Sequence, residues 1–151
     1  MSLGIVFKGP EGIVLAADSR VTLTGQRENM LLPASFDNAT KLLRIRTQNF
    51  VGVVTYGLGA IGAGQPRTAH SFMPEFERNF ETAPRVGVTE QGTRLAMQEL
   101  APRLGVGEFA SRLSEFFMAQ WRTLMPAQYN DVPMFFLVGG YDVDASYGKV
   151  F

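Results

Sequence analysis

Three polar side chains interrupt otherwise apolar runs in the first third of the chain: Ser2, Asp18 and Lys41. The chain has no Cys and one His, His70. That removes a Cys nucleophile and a thiolate metal site, and it leaves a multi-His metal cluster or a His-based triad without support. A serine that also carries a free α-amino group meets the need for a nucleophile in another way. An N-terminal amine has a pKa of about 7.7–8.0, so it accepts a proton near neutral pH without tuning. Nucleophile and base then belong to one residue. Met1 is followed by the small Ser2, so removal of the initiator methionine would expose it. Lys41 would lower the proton affinity of a nearby hydroxyl and amine by its charge, and Asp18 would keep Lys41 charged and in place. Bare backbone at Gly57 can aim an N–H at a developing oxyanion, a donor worth about 2.7–4 kcal/mol. Plainer roles exist for each: Asp18 as a turn cap, Lys41 as a charge keeping a strand edge soluble, and Ser2 as a small residue after Met.

These residues need elements to hold them. Leu3 to Lys8 and Ile13 to Ala17 are short apolar runs around Gly9-Pro10-Glu11-Gly12, which predicts a β-hairpin. The second run is apolar at every position, as in a strand buried on both faces. Thr22 to Asn38 is polar with Gly25 and Pro33 and reads as a loop, its Met30-Leu31-Leu32 patch tucking back on the body. Lys41 to Arg46 and Phe50 to Tyr56 predict a second hairpin across Thr47-Gln48-Asn49. Gly57, Gly59, Gly62 and Gly64 follow in a stretch of small residues. Its Gly-x-Gly-x-x-Gly lettering lacks the strand–helix–strand setting of a dinucleotide site.

The middle third reads as helical. Phe72, Phe76 and Phe80 recur every four residues, with Ser71 as N-cap and Pro74 in the first turn. Gly107 to Leu124 predicts the strongest helix, with Phe109, Leu113, Phe116, Phe117, Trp121 and Leu124 on one core-facing side. Arg85, Gly87, Val88, Glu90, Arg94 and Leu95 recur as Arg103, Gly105, Val106, Glu108, Arg112 and Leu113. An offset of about five helical turns would let two tandem helical segments present matching faces; the echo reads as a local duplication or a coincidence, without functional content. His70 reads as a helix-start or surface residue. Met134 to Val138 and Tyr147 to Phe151 return to strand, and Asp142 and Asp144 between them are too few carboxylates for a cation site. Strands, then helices, then strands predict an α+β fold or a layered α/β sandwich.

Composition sets outer bounds. The chain has 151 residues, 46% hydrophobic and 19% charged, which suits one globular domain over residues 1–151. Fourteen basic and fourteen acidic residues balance, so nothing drives binding to nucleic acid or an anionic membrane. No apolar run reaches the roughly 20 residues of a membrane span, and no secretory leader is recognisable. The expectation is a cytoplasmic protein with no metal and no organic cofactor.

Leu3-Gly-Ile-Val-Phe-Lys-Gly9 followed by Gly12-Ile-Val-Leu-Ala-Ala-Asp-Ser-Arg20 closely resembles the opening of proteasome β subunits, a family with bacterial proteasome-like members. Lys41-Leu-Leu-Arg-Ile45, Val51 to Gly57 and Phe135-Phe-Leu-Val-Gly-Gly-Tyr-Asp142 fall in the family's order, so the resemblance covers nearly the whole chain. It implies the four-layer αββα sandwich of the N-terminal nucleophile hydrolases and a threonine- or serine-type endopeptidase acting on peptides or unfolded protein. It also implies self-association into stacked rings, with an ATPase as regulatory partner.

Position by position, the resemblance puts Ser2 at the catalytic threonine, Asp18 at the family's aspartate, Lys41 at its lysine and Gly57 at the oxyanion-hole glycine. Tyr56 takes that last place if the loop aligns one residue earlier. Thr22 matches the position whose backbone pairs with bound peptide. Val21, Ala39, Leu43 and Val54 would line an apolar pocket for the residue before the cut. Three departures stand out: Ser replaces Thr, no propeptide precedes Ser2, and the family's later strands, second helical layer and helper Ser and Asp have no match before Phe151. The expectation is a C-terminally truncated fold, as a fragment or with its missing layer supplied by a partner. Two alternatives stay open: an inactive ring subunit or peptide-binding module, and a small-amide hydrolase on the same fold.

Overall fold

Val51, Val53 and Val54 give the run Val51–Gly57 the β-branched side chains that suit a buried strand, and the rest of the molecule is arranged around it. The computed structural model describes residues 2–27, 30–46, 48–80, 85–88, 94–97, 103–127 and 133–151. Its strands are β1 (Gly4–Gly9), β2 (Gly12–Ala17), β3 (Val21–Arg27), β4 (Met30–Phe36), β5 (Leu42–Arg44), β6 (Val51–Gly57), β7 (Arg85–Val88), β8 (Arg94–Met97), β9 (Met134–Gly140) and β10 (Lys149–Val150). The helices are α1 (Ala69–Glu77), continued by a 3-10 turn at Arg78–Phe80, and α2 (Val106–Leu124). The fold is α+β, and every strand pairing among the described residues is antiparallel.

Strands β10-β9-β6-β5 form one sheet. Side chains alternate across β6, so Val51 and Val53 join the helical core, whereas Gly52 faces Leu15 of β2. On the helical side Phe72 and Phe76 of α1 and Phe109 and Phe117 of α2 are all at most 5% exposed. Burying each such ring contributes about 1.5–3 kcal/mol. The rings interlock edge to face, Phe72 on Phe117 at 5.8 Å and Phe76 on Phe109 at 5.7 Å, and Phe117 reaches Phe136 of β9 at 4.4 Å. The α2 side predicted from sequence is the one that packs.

The β1–β2 hairpin lies across the opposite side of the sheet. The expected hairpin forms, in register from Gly4↔Ala17 to Gly9↔Gly12. Ile13 and Leu15 point inward onto Gly139 and Gly52. Its outer side is not buried: Leu3, Ile5, Phe7 and Val14 are 48–67% exposed. This corrects the expectation of a β2 buried on both faces. The continuous apolar run is real, but among the described residues only three layers exist (hairpin, sheet and helices), and nothing covers the hairpin's far side.

Three further expectations are corrected. Thr22 to Asn38 is not a loop but the β3–β4 hairpin, with Val21↔Phe36 through Arg27↔Met30 in register. Pro33 misleads, yet a two-stranded sheet has only edges, where proline is tolerated. In α1 the N-cap is Thr68, not Ser71, and Pro74 lies past the first turn. The Ser71 hydroxyl donates to the Thr68 carbonyl at 2.7 Å, while His70 is exposed at the helix start. The internal echo does not mark tandem helices: Arg85–Val88 pairs with Arg94–Met97 as strands, and only the second copy enters α2. The first copy carries β-branched Val86 and Val88 around Gly87, which suit a short strand.

Candidate active site

Two hairpin ends meet at the site. The β1–β2 ladder runs one step beyond its last pair, where Asp18 N–H donates to the Leu3 carbonyl at 3.2 Å and Leu3 N–H donates to Asp18 Oδ1 at 2.7 Å. That brings Ser2 and Asp18 together although they are far apart in sequence. Lys41 sits just before β5, tied to the sheet by the Thr55 N–H donating to its carbonyl at 2.9 Å. It shares the face of Leu43 and Ile45, which are buried, and is itself 5% exposed.

Four oxygens surround the Lys41 ammonium. Nζ donates to Asp18 Oδ1 and Oδ2, both at 2.9 Å, to Ser2 Oγ at 3.1 Å and to the Arg20 carbonyl. An ammonium has three protons and no acceptor, so its donors are fully engaged. Asp18 Oδ2 also accepts the Arg20 N–H at 3.1 Å. Burial pushes the Asp18 carboxyl up, but the Leu3 N–H, the Lys41 ammonium and the Arg20 N–H outweigh it and hold it below the ordinary carboxylate value.

The Ser2 hydroxyl receives the Lys41 proton and donates in turn to the Gly57 carbonyl at 3.4 Å, near the limit of a hydrogen bond. Gly57 has φ +84° and a Cβ there would collide with the Pro133 carbonyl, so both its conformation and its space call for glycine. Backbone groups alternate in direction along a strand. Thr55 N–H goes to Lys41 on the β5 side, and Leu58 N–H goes to Pro133 at 3.1 Å on the β9 side. By that alternation Gly57 N–H falls on the side of Ser2 and Lys41. Tyr56, paired with Phe135, falls on the side of β9.

A small cleft opens beside Ser2 and Lys41, walled by Val21, Ala39, Thr55, Leu58 and Gly59 and by Thr68 and Ala69 at the start of α1. Of the sequence-predicted lining residues, Val21 and Ala39 are there. Leu43 is not: it lies one step further along the Lys41 face, packed in the core at 1% exposure. Val54 is not either, since it points to the opposite side of β6, against Gly4 of β1. A one-residue shift along a strand exchanges faces, and the cleft position is Thr55. The wall is therefore partly polar, in place of the wholly apolar pocket that the resemblance implies. Thr55 is 6% exposed and its hydroxyl has no hydrogen-bond partner among the described residues. Strict alternation from Val53 would have found it. Thr22 does not line the cleft; it pairs with Ser35, their hydroxyls 3.1 Å apart, and β3 keeps an unpaired second edge among the described residues.

Around the site, Arg20 Nε meets Asp37 Oδ1 at 2.5 Å across the base of the β3–β4 hairpin. Both side chains are largely exposed, so the pair adds little to stability. Asp142 holds the start of α2: its Oδ1 accepts the Val106 N–H at 2.7 Å, and its Oδ2 meets Lys149 at 2.6 Å. Lys149 first, and the Val106 N–H after it, lower the Asp142 carboxyl. Gly105, the α2 N-cap, has no side chain to do this. Among the described residues no group of three or more acidic, His or Cys side chains gathers for a metal ion. Nor, among them, is any helix long and apolar enough to cross a membrane. Comparison with family models, with characterised proteins and with solved structures found no match.

Proposed function

We propose that this chain is a proteasome-β-like hydrolase in which Ser2, freed of Met1, cleaves peptide bonds. The observation that carries the reading is the Ser2 hydroxyl held 3.1 Å from the buried Lys41 Nζ, which Asp18 fixes in place. A structural lysine would need only its carboxylate; the hydroxyl brought in beside it comes from the neighbouring strand at the same end of the β1–β2 hairpin.

In this reading the freed α-amine of Ser2 takes the hydroxyl proton as Oγ adds to the substrate carbonyl. The neighbouring ammonium stabilises the oxygen as its proton leaves. Gly57 N–H, on the same side, receives the developing oxyanion. Collapse breaks the C–N bond, the α-ammonium returns its proton to the leaving amine, and an ester to Ser2 remains. Water, deprotonated by the same amine, hydrolyses that ester and restores the hydroxyl. The unpaired edge of β3 next to the cleft suits an extended peptide added as a strand.

The four-layer sandwich belongs to this proposal too. The uncovered apolar side of β1–β2 is where its fourth layer, helical in the family resembled, would lie. Stacked rings and an ATPase partner follow from the same resemblance.

The test uses the whole chain with Met1 removed. It should hydrolyse N-blocked fluorogenic peptides, and Ser2→Ala should lower turnover by more than about 10³-fold while leaving the circular dichroism spectrum unchanged. Equal turnover by the Ala variant would overturn the proposal.

A further inference from the structure

Among the described residues, the Thr55 hydroxyl is the buried polar group on the cleft wall that the fold leaves unused. Its residue is only 6% exposed, it sits on the cleft side of β6, and Oγ1 has no partner. Buried hydroxyls are nearly always hydrogen-bonded, and one left alone costs about 1–3 kcal/mol. Neighbouring groups cannot relieve it. The Lys41 protons go to Asp18, Ser2 and Arg20 and the Ser2 proton goes to the Gly57 carbonyl, so neither donates to Oγ1. Thr40, Tyr56 and Thr68 also line the cleft, and among the described residues none of them partners Oγ1; Val21 packs so closely on Gly59 that any side chain at position 59 would collide with it.

From this we infer that the cleft selects substrates whose side chain before the cut is short and carries a hydroxyl, serine or threonine, which pairs with Thr55 Oγ1. The inference rests on the hydrolase reading for the direction of the peptide. A site with a buried hydrogen-bonding group rejects an analogue lacking the matching group far more strongly than an apolar pocket rejects one extra methylene. Thr55 would then be a specificity residue two positions from the oxyanion glycine, one that touches the side chain and not the reacting atoms.

The experiment compares N-blocked peptides that differ only in that side chain, serine against 2-aminobutyrate and threonine against valine, in two assays. Equilibrium binding is measured on the Ser2→Ala protein, and turnover is measured on the protein with Ser2 intact. Binding should favour the hydroxyl member of each pair by about tenfold or more, the scale of one buried hydrogen bond. Adding Thr55→Val, which keeps the shape and deletes the hydroxyl, should erase that preference without lowering the melting temperature. Equal binding within each pair, a preference for the apolar members, no binding at all, or a preference untouched by Thr55→Val would each overturn the inference. Selective binding without turnover in the Ser2 protein would instead overturn the hydrolase reading and leave the specificity of the cleft standing.

Discussion

Lys41 Nζ lies 3.1 Å from Ser2 Oγ, and these two residues approach from different hairpins. Because the ammonium is buried and already held by Asp18, its charge acts on the Ser2 hydroxyl with little screening by water. Lys41→Met keeps the apolar stem and deletes the charge. It should leave the fold intact and abolish acylation of Ser2 by a peptide β-lactone, followed by mass spectrometry. Labelling at the wild-type rate would remove Lys41 from the chemistry.

Asp18 carries a pH signature. Its carboxyl is held below its ordinary value of 3.8, so the folded state favours the ionised form. That contribution is fully present above pH 3.8 and is lost as pH falls through the lower folded value. Carbon-detected NMR should therefore show Asp18 titrating below 3.8. Any loss of activity between about pH 8 and 6 then belongs to the α-amine, whose ordinary pKa is about 7.7–8.0. An Asp18 that titrates above its ordinary value would contradict the geometry.

Removing the same carboxylate strands a buried cation. Asp18→Asn leaves Lys41 without its counter-ion at 5% exposure and should cost about 3 kcal/mol in urea unfolding. A change within experimental error would mean that Lys41 adopts another partner.

Much of this is legible in the residues. Two hairpins, the α2 side and the Ser2–Asp18–Lys41 grouping follow from apolar runs and from polar residues that interrupt them. The differences have identifiable physical causes. Pro33 disguises β4 because an edge strand tolerates what an interior one does not. Arg85–Val88 copies the approach to α2 but pairs as a strand with Arg94–Met97, in keeping with its β-branched Val86 and Val88. Apolarity favours Val54 over Thr55 as a pocket residue, but alternation decides which face a side chain takes, and it selects Thr55. The exposed outer side of β1–β2 is not legible in the strand itself, since an apolar strand looks the same whether its second side is covered or open; only the unmatched second helical layer of the family resembled points to an uncovered face.

Gly57→Ala should be harmful twice over. At φ +84° and with the Pro133 carbonyl in the way of a Cβ, the variant should lose about 1–3 kcal/mol of stability. Turnover should fall further than stability explains, because the loop must shift the N–H beside Ser2. Denaturant melts paired with single-turnover rates at a temperature where both proteins are folded separate the two effects.

Leu43→Ala tests the corrected lining of the cleft. Leu43 is 1% exposed within the helical core, so truncation should cost about 2–5 kcal/mol. The ranking of substrates should stay as in wild type. A changed ranking at preserved stability would return Leu43 to the pocket wall.

The most direct measurement is the intact mass of the protein as it matures in the cell, before and after exposure to a peptide epoxyketone. That reagent needs a hydroxyl and an amine on one residue. The account predicts a chain lacking Met1 that takes up a single equivalent, mapped to Ser2. A chain that retains Met1, or one that lacks it and takes up none, would contradict the claim that Ser2 attacks and accepts the proton.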